Sequence, residues 1–146
     1  MQHHLILKIV TKGLVGIILL FGLYVQFHGD YSPGGGFQAG VIFAAGFILY
    51  GIGMGLDTVQ AVLPFWVVQK LAALGVLVYA VTGVLSLFLG FNYLDYSVFS
   101  PHHPEHGQHW GILVVELGVG VTVTGVIICI YYCFASRTPH IDDGEW

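Results

Sequence analysis

Charge is what this sequence has least of. Four lysines and arginines with eight aspartates and glutamates make up 8% of its 146 residues, where a water-soluble domain carries about a quarter. Most of the surface must therefore meet lipid or other protein. The formal net charge of −4 comes from loops and tail, and no basic patch points to nucleic acid. Cysteine is nearly absent too. Cys129 and Cys133 are too few for a disulfide framework and are not spaced like a metal knuckle, so they read as small packing residues. Histidine is missing from the interior of every long apolar stretch, with His28 and His109 at the edges. A membrane b-type haem needs axial ligands inside the bundle, which disfavours a redox cytochrome. The first apolar stretch lacks a small-x-small cleavage pattern before His28, so it reads as a span and not as a removable leader.

Apolar residues, by contrast, supply 56% of the chain, and the mean hydropathy is +0.83. A hydrocarbon layer of about 30 Å takes about 20 helical residues to cross. Four stretches qualify, near residues 5–27, 37–55, 66–90 and 110–134. The fold class expected is an all-α membrane protein of four transmembrane helices, forming one domain over 1–146. Tyr24, Phe27, Trp66, Phe91, Trp110 and Tyr131 cluster at the span ends as an interfacial belt. Lys8, Lys12, Lys70 and Arg137 all fall on one side, and loops 28–36 and 91–109 hold no lysine or arginine. The positive-inside rule then puts both termini in the cytoplasm, with a short tail over 135–146.

Close backbone approach must do between membrane helices what the hydrophobic effect does in water. Gly36, Gly40 and Ala44 recur every four residues, as do Gly118 with Thr122 and Gly120 with Thr124. With 21 glycines in the chain, an outward small-residue ridge suggests neighbouring subunits. The alternative is the general abundance of glycine in membrane helices.

Ionisable groups inside a span default to a functional hypothesis. Glu116 lies about 9 Å below the outer interface by helical rise. Gly120 and Thr124 share its face, leaving room for water or a cation beside the carboxylate. The competing reading is a protonated Glu116 hydrogen-bonded to a neighbouring helix. Lys12, about 10 Å from the inner end of its helix, is short enough in depth to reach the interface. Lys8 and Lys70 read as interfacial anchors.

Two loops stand out. In 32–37, Pro33 fixes one dihedral while Gly34, Gly35 and Gly36 free the next six, which suits a sharp turn into the second helix. It is not a phosphate loop, because the lysine and hydroxyl of that motif are absent. Residues 102–109 hold His102, His103, His106, His109 and Glu105, but Pro101, Pro104 and Gly107 break any regular helix spacing. A hydrated loop is expected there, and no metal site, cofactor or catalytic residue is assigned.

Thr11-Lys12, Gly29 ahead of Pro33-Gly34-Gly35-Gly36-Phe37, Gly40, Asp57, Pro64 and Glu116-Leu117-Gly118-Val119 together resemble the MrpB component of Mrp-type cation/proton antiporters. The resemblance runs over roughly residues 10–130 and is most specific at 33–37. It implies an accessory subunit of a multisubunit sodium/proton antiporter in a bacterial inner membrane. Its partners would be large complex-I-like and small membrane subunits, with Na+ and H+ as cargo and no enzymatic activity of its own. It also implies ion-pathway roles for Glu116 and Lys12, beside Thr124 on the Glu116 face. For Pro33 and Phe37 it implies shaping the ion path or contacting a large subunit, with Gly34, Gly35, Gly36 and Gly40 around them. The same module occurs in membrane-bound hydrogenases and complex-I-like pumps, and a scaffold without ion contact is the remaining alternative.

Overall fold

The computed structural model describes residues 2–29, 33–99 and 104–137, with side chains from Leu5 in the first stretch and from Gly107 in the last. Ser32, His102, His103 and the tail beyond Arg137 lie outside the described residues, as do the side chains of Glu105 and His106. Five helices form, with no strand among the described residues: α1 (Gln2–Phe27), α2 (Gly36–Met54), α3 (Leu56–Val62), α4 (Phe65–Phe88) and α5 (Pro104–Ala135). Four are long and apolar enough to span a membrane, over Leu5–Phe27, Gly36–Met54, Phe65–Phe88 and Gly107–Ala135.

The spans stand in the spatial order α1, α2, α5, α4. α1 packs on α2, α2 on α5, and α5 on α4, while α1 touches α5 only slightly. Little of this surface is internal. The buried hydrophobic core consists of Ala44, Val59, Val68, Ile128 and Tyr132, joining α2, α3, α4 and α5. Only 11% of the apolar window of α1 is buried in the chain, so that helix is covered chiefly by lipid or by other subunits.

Two connections are more structured than their sequence suggests. α2 ends at Gly55, whose φ of 96° is open to glycine and strained for other residues, and α3 starts at once. Thr58 Oγ1 donates to the Met54 carbonyl at 3.0 Å. Val59 of α3 is fully buried, and the Tyr132 hydroxyl donates to the Leu63 carbonyl at 2.9 Å. A seven-residue helix is too short to register as a span, which is why 56–65 reads as a plain connection. The expected loop 91–109 is also shorter, because α5 begins at Pro104. Proline suits a first helical position, where its missing N–H is needed by no partner; here it starts the helix that it was expected to interrupt. A 3-10 turn, Tyr96–Phe99, precedes it. The Tyr93 ring lies on Gly83 and the Tyr96 ring on Gly111, where any β-carbon would collide. The Ser86 hydroxyl donates to the Asp95 carbonyl at 3.1 Å. Burial, then the neighbouring Tyr79 and Tyr93, push the Tyr96 phenol above its ordinary pKa, so it stays a neutral hydrogen-bonding group at physiological pH.

The small-residue ridges are consumed within the chain. A β-carbon at Gly40 would stand 2.7 Å from the Gly120 carbonyl oxygen, and one at Gly75 would stand 2.5 Å from that of Gly118. These ridges therefore pack α2 and α4 onto α5 and do not face outward to neighbours. Gly16, on the outer side of α1, has nothing among the described residues within 4 Å of a β-carbon.

That contrast sets opposite signs for one substitution. Alanine is the better helix former by about 0.8–1 kcal/mol, so Gly16→Ala should leave the melting temperature in detergent unchanged or raised. Gly75→Ala should lower it, because the α4–α5 seam must open against backbone, an overpacking cost of about 1–3 kcal/mol. Equal melting of the two variants would show that the seam is not close-packed.

Candidate functional site

The described ends of the connection between α1 and α2 do not stand clear of the bundle. Gly29, Gly35 and Gly36 lie against α5, and the residue they meet is Glu116. Ideal β-carbons at Gly29 would lie 2.5 and 2.7 Å from the two carboxylate oxygens, and one at Gly35 would lie 2.9 Å from Oε1. At Gly36 a β-carbon would collide with the Glu116 backbone carbonyl. The carboxylate is thus walled by bare backbone from both arms of the turn. Glycine is required at Gly35 on two counts, since its φ of 121° with ψ of −176° is a region that side chains exclude. The arms are tied together at Val25, whose carbonyl accepts from the backbone N–H of both His28 and Gly35, each at 3.4 Å.

Depth and electrostatics follow from this placement. Glu116 is half-buried and sits about 18 Å along α5 from Pro104 by helical rise. The turn therefore reaches the middle of α5, and α1 and α2 end well short of the far ends of α4 and α5. α2 starts at Gly36, so its free N–H groups and the positive end of its dipole lie beside the carboxylate. That arrangement offsets part of the cost of negative charge at depth.

The other expected site residues divide. Thr124 lies two turns further along the Glu116 face, but its hydroxyl donates to the Gly120 carbonyl at 2.7 Å and the Gly40 carbonyl at 3.2 Å. Its proton is spent on joining α5 to α2. The face of Glu116, Gly120 and Thr124, which the spacing leaves open for water, meets Gly36 and Gly40 of α2 on one side, while Gly120 and Thr124 also line an open crevice beside Gln26. Lys12 is exposed on α1, about 25 Å from Gly29 by helical rise, and does not approach Glu116. Its neighbour Thr11 is the buried one, packed on Gly53. Within the turn Gly35 and Gly36 are buried and Gly34 is partly so, while Pro33 and Phe37 face outward, Phe37 with 60% of its surface exposed. Cys129 and Cys133 carry free thiols. Among the described residues no three histidine, cysteine, aspartate or glutamate side chains gather as a metal site.

One residue escaped the sequence reading. Gln26 of α1 is 6% exposed, and its Oε1 stands 2.6 Å from the point a β-carbon of Gly120 would occupy. The signal was available, since a side-chain amide inside an apolar span has the same need of partners as a charge. A search for ionisable groups passes over it.

Comparison with known proteins bears on the whole span region. A model of domains related to the MnhB subunit of Na+/H+ antiporters matches residues 6–129. A protein of Staphylococcus haemolyticus named as antiporter subunit mnhB2 is 37% identical over 131 residues, covering 88% of this chain and 92% of its own length. Proteins of the same name from Staphylococcus epidermidis and Staphylococcus aureus are 35% and 36% identical over the same shares of both chains. The chain belongs to the MnhB family and is a multi-pass membrane subunit of a multisubunit Na+/H+ antiporter.

Proposed function

We propose that this protein lines the antiporter's ion path and that Glu116 exchanges a proton or a sodium ion during turnover. The observation that carries the reading is the convergence of the one deep acid of α5 with the glycine turn. A carboxylate packed against bare backbone at Gly29 and Gly35, beside the start of α2, stands where the turn and α5 meet. Such a charge must be balanced at every stage by a proton, a cation or a partner group. Pro33 and Phe37, outward on the same turn, are the surface offered to a large subunit. Lys12 serves the path from the inner side of α1, away from Glu116. The machine sits in a bacterial inner membrane with both termini of this chain in the cytoplasm, a reading supported by the one-sided lysines and arginine. The relatives are named antiporter subunits, which speaks for an antiporter as the parent complex over a hydrogenase or a complex-I-like pump.

Three measurements test this. Glu116→Gln keeps shape and hydrogen bonding but cannot ionise, so it should assemble normally while antiport in vesicles is lost or its pH dependence moves. Glu116→Asp should retain partial activity, because the charge survives on a shorter stem. Parental transport by Glu116→Gln across the pH range would reduce the residue to packing and the protein to a scaffold.

Gly35→Val should instead cost assembled complex, since a β-branched side chain meets both a forbidden φ and the Glu116 carboxylate. Intact assembly with weakened apparent sodium affinity would convert the turn from a structural element into an ion ligand.

Reporter fusions at the two termini should both report the cytoplasm. A periplasmic signal from either end would invert the proposed orientation.

A further inference from the structure

The Gln26 amide is an anomaly in so apolar a protein. Its nitrogen is buried and finds no hydrogen-bond partner among the described residues. An unsatisfied buried polar group costs about 1–3 kcal/mol, and each such group in a native protein asks for an explanation. Gln26 also forms part of the wall of an open crevice of about 290 Å³ between α1 and α4, with α5 as its floor. Leu23 of α1, Phe43 of α2, Leu71 of α4 and Gly120, Val121 and Thr124 of α5 surround it, the Thr124 hydroxyl proton being already given to the Gly120 and Gly40 carbonyls. The crevice exists because α1 and α4 stand at opposite ends of the helix row and share no seam of their own.

We propose that a transmembrane helix of another subunit of the same antiporter lies against this crevice and inserts side chains into it, one of which hydrogen-bonds to Gln26. Three candidate occupants differ in what they offer the amide. A lipid acyl chain fits the apolar walls but has no acceptor, so Gln26 would stay unsatisfied. Water has acceptors, but a crevice walled by leucine, phenylalanine and valine is the kind that stays dry. A helix carrying serine, threonine, asparagine, glutamine, aspartate, glutamate or histidine satisfies both walls and amide. Hydrogen bonds of this kind join helices within membranes, and this chain is a subunit of a complex that must supply such helices. The last torsion of glutamine is soft, so a half-turn offers either amide oxygen or nitrogen to the incoming group. Gly120 admits that movement, because a side chain there would occupy the place of the Gln26 amide.

The test is made in membranes holding the whole antiporter. A photoreactive amino acid replacing Leu71 should crosslink to a sibling subunit, at a peptide from an apolar span that bears one of those side chains. Adducts to phospholipid alone, or to a span without such a side chain, would overturn the proposal. Gln26→Met keeps length and flexibility but removes the hydrogen bond. It should lower the yield of that crosslinked pair by about threefold to about twentyfold, the range expected from one interhelical hydrogen bond in a membrane. A yield equal to or above the parent's would sink the role given to Gln26. If Gln26→Met fails to insert, the crosslink made with Gln26 intact decides alone. Crosslinking is read without transport, so failure here leaves the exchange role of Glu116 standing, and the reverse also holds.

Discussion

The contact on which the rest depends is backbone against backbone, where the start of α2 lies on the middle of α5. Gly36 meets the Glu116 carbonyl and Gly40 meets the Gly120 carbonyl, with no β-carbon between them on the α2 side. Both pairs are one helical turn apart, so fitting one fits the next, and the register of the two helices cannot slide. The Thr124 hydroxyl, shared between its own helix and the Gly40 carbonyl, locks the following turn. α1 then follows α2 through contacts such as Gly46 on Leu19, which brings Gly29 and Gly35 onto Glu116.

This economy suits a chain with so little interior. Among the described residues its buried hydrophobic side chains are few, and the apolar effect that drives a soluble core is absent between helices already in lipid. Specific seams and hydrogen bonds remain. α4 and α5 hold each other through glycine and threonine along their length, while α1 leans on α2 and is otherwise open. The two halves of the molecule are therefore unequal. The long α4–α5 pair carries the Tyr93–Tyr96 segment and shares its core with α2 and α3, and the α1–α2 pair starts from the level of Glu116.

Span number and placement were legible in the sequence because hydropathy over about 20 residues is a strong, local signal. The small-residue seams were legible as spacing, but their partners were not. Gly36 and Gly40 look the same whether they face α5 or another subunit, and only the fold shows that α5 takes them. α3 was hidden because Gly55 ends one helix and permits the next to start without an intervening loop. Pro104 misled for a related reason, since proline both stops and starts helices and composition does not say which. At the site, Glu116 and the glycine turn were each conspicuous. Their convergence, 80 or more residues apart in the chain, is a tertiary fact with no local trace. Thr124 shared the right face but spends its proton on a helix junction.

Folding and ion chemistry are unevenly entangled in this arrangement. At Gly36 the wall lies on the main chain of α5, so a substitution there moves the helices before it moves an ion, whereas a β-carbon at Gly29 or Gly35 meets the Glu116 carboxylate itself. At Glu116 the packing is done by the main chain and the chemistry by the terminal carboxyl, which leaves the two separable by an isostere. Gln26 stands between these extremes, since its stem is packed inside the protein while its amide awaits a group from outside. The side chains whose outermost atoms alone differ, Glu116 and Gln26, are thus where a protein of this kind can be questioned about function without first being taken apart.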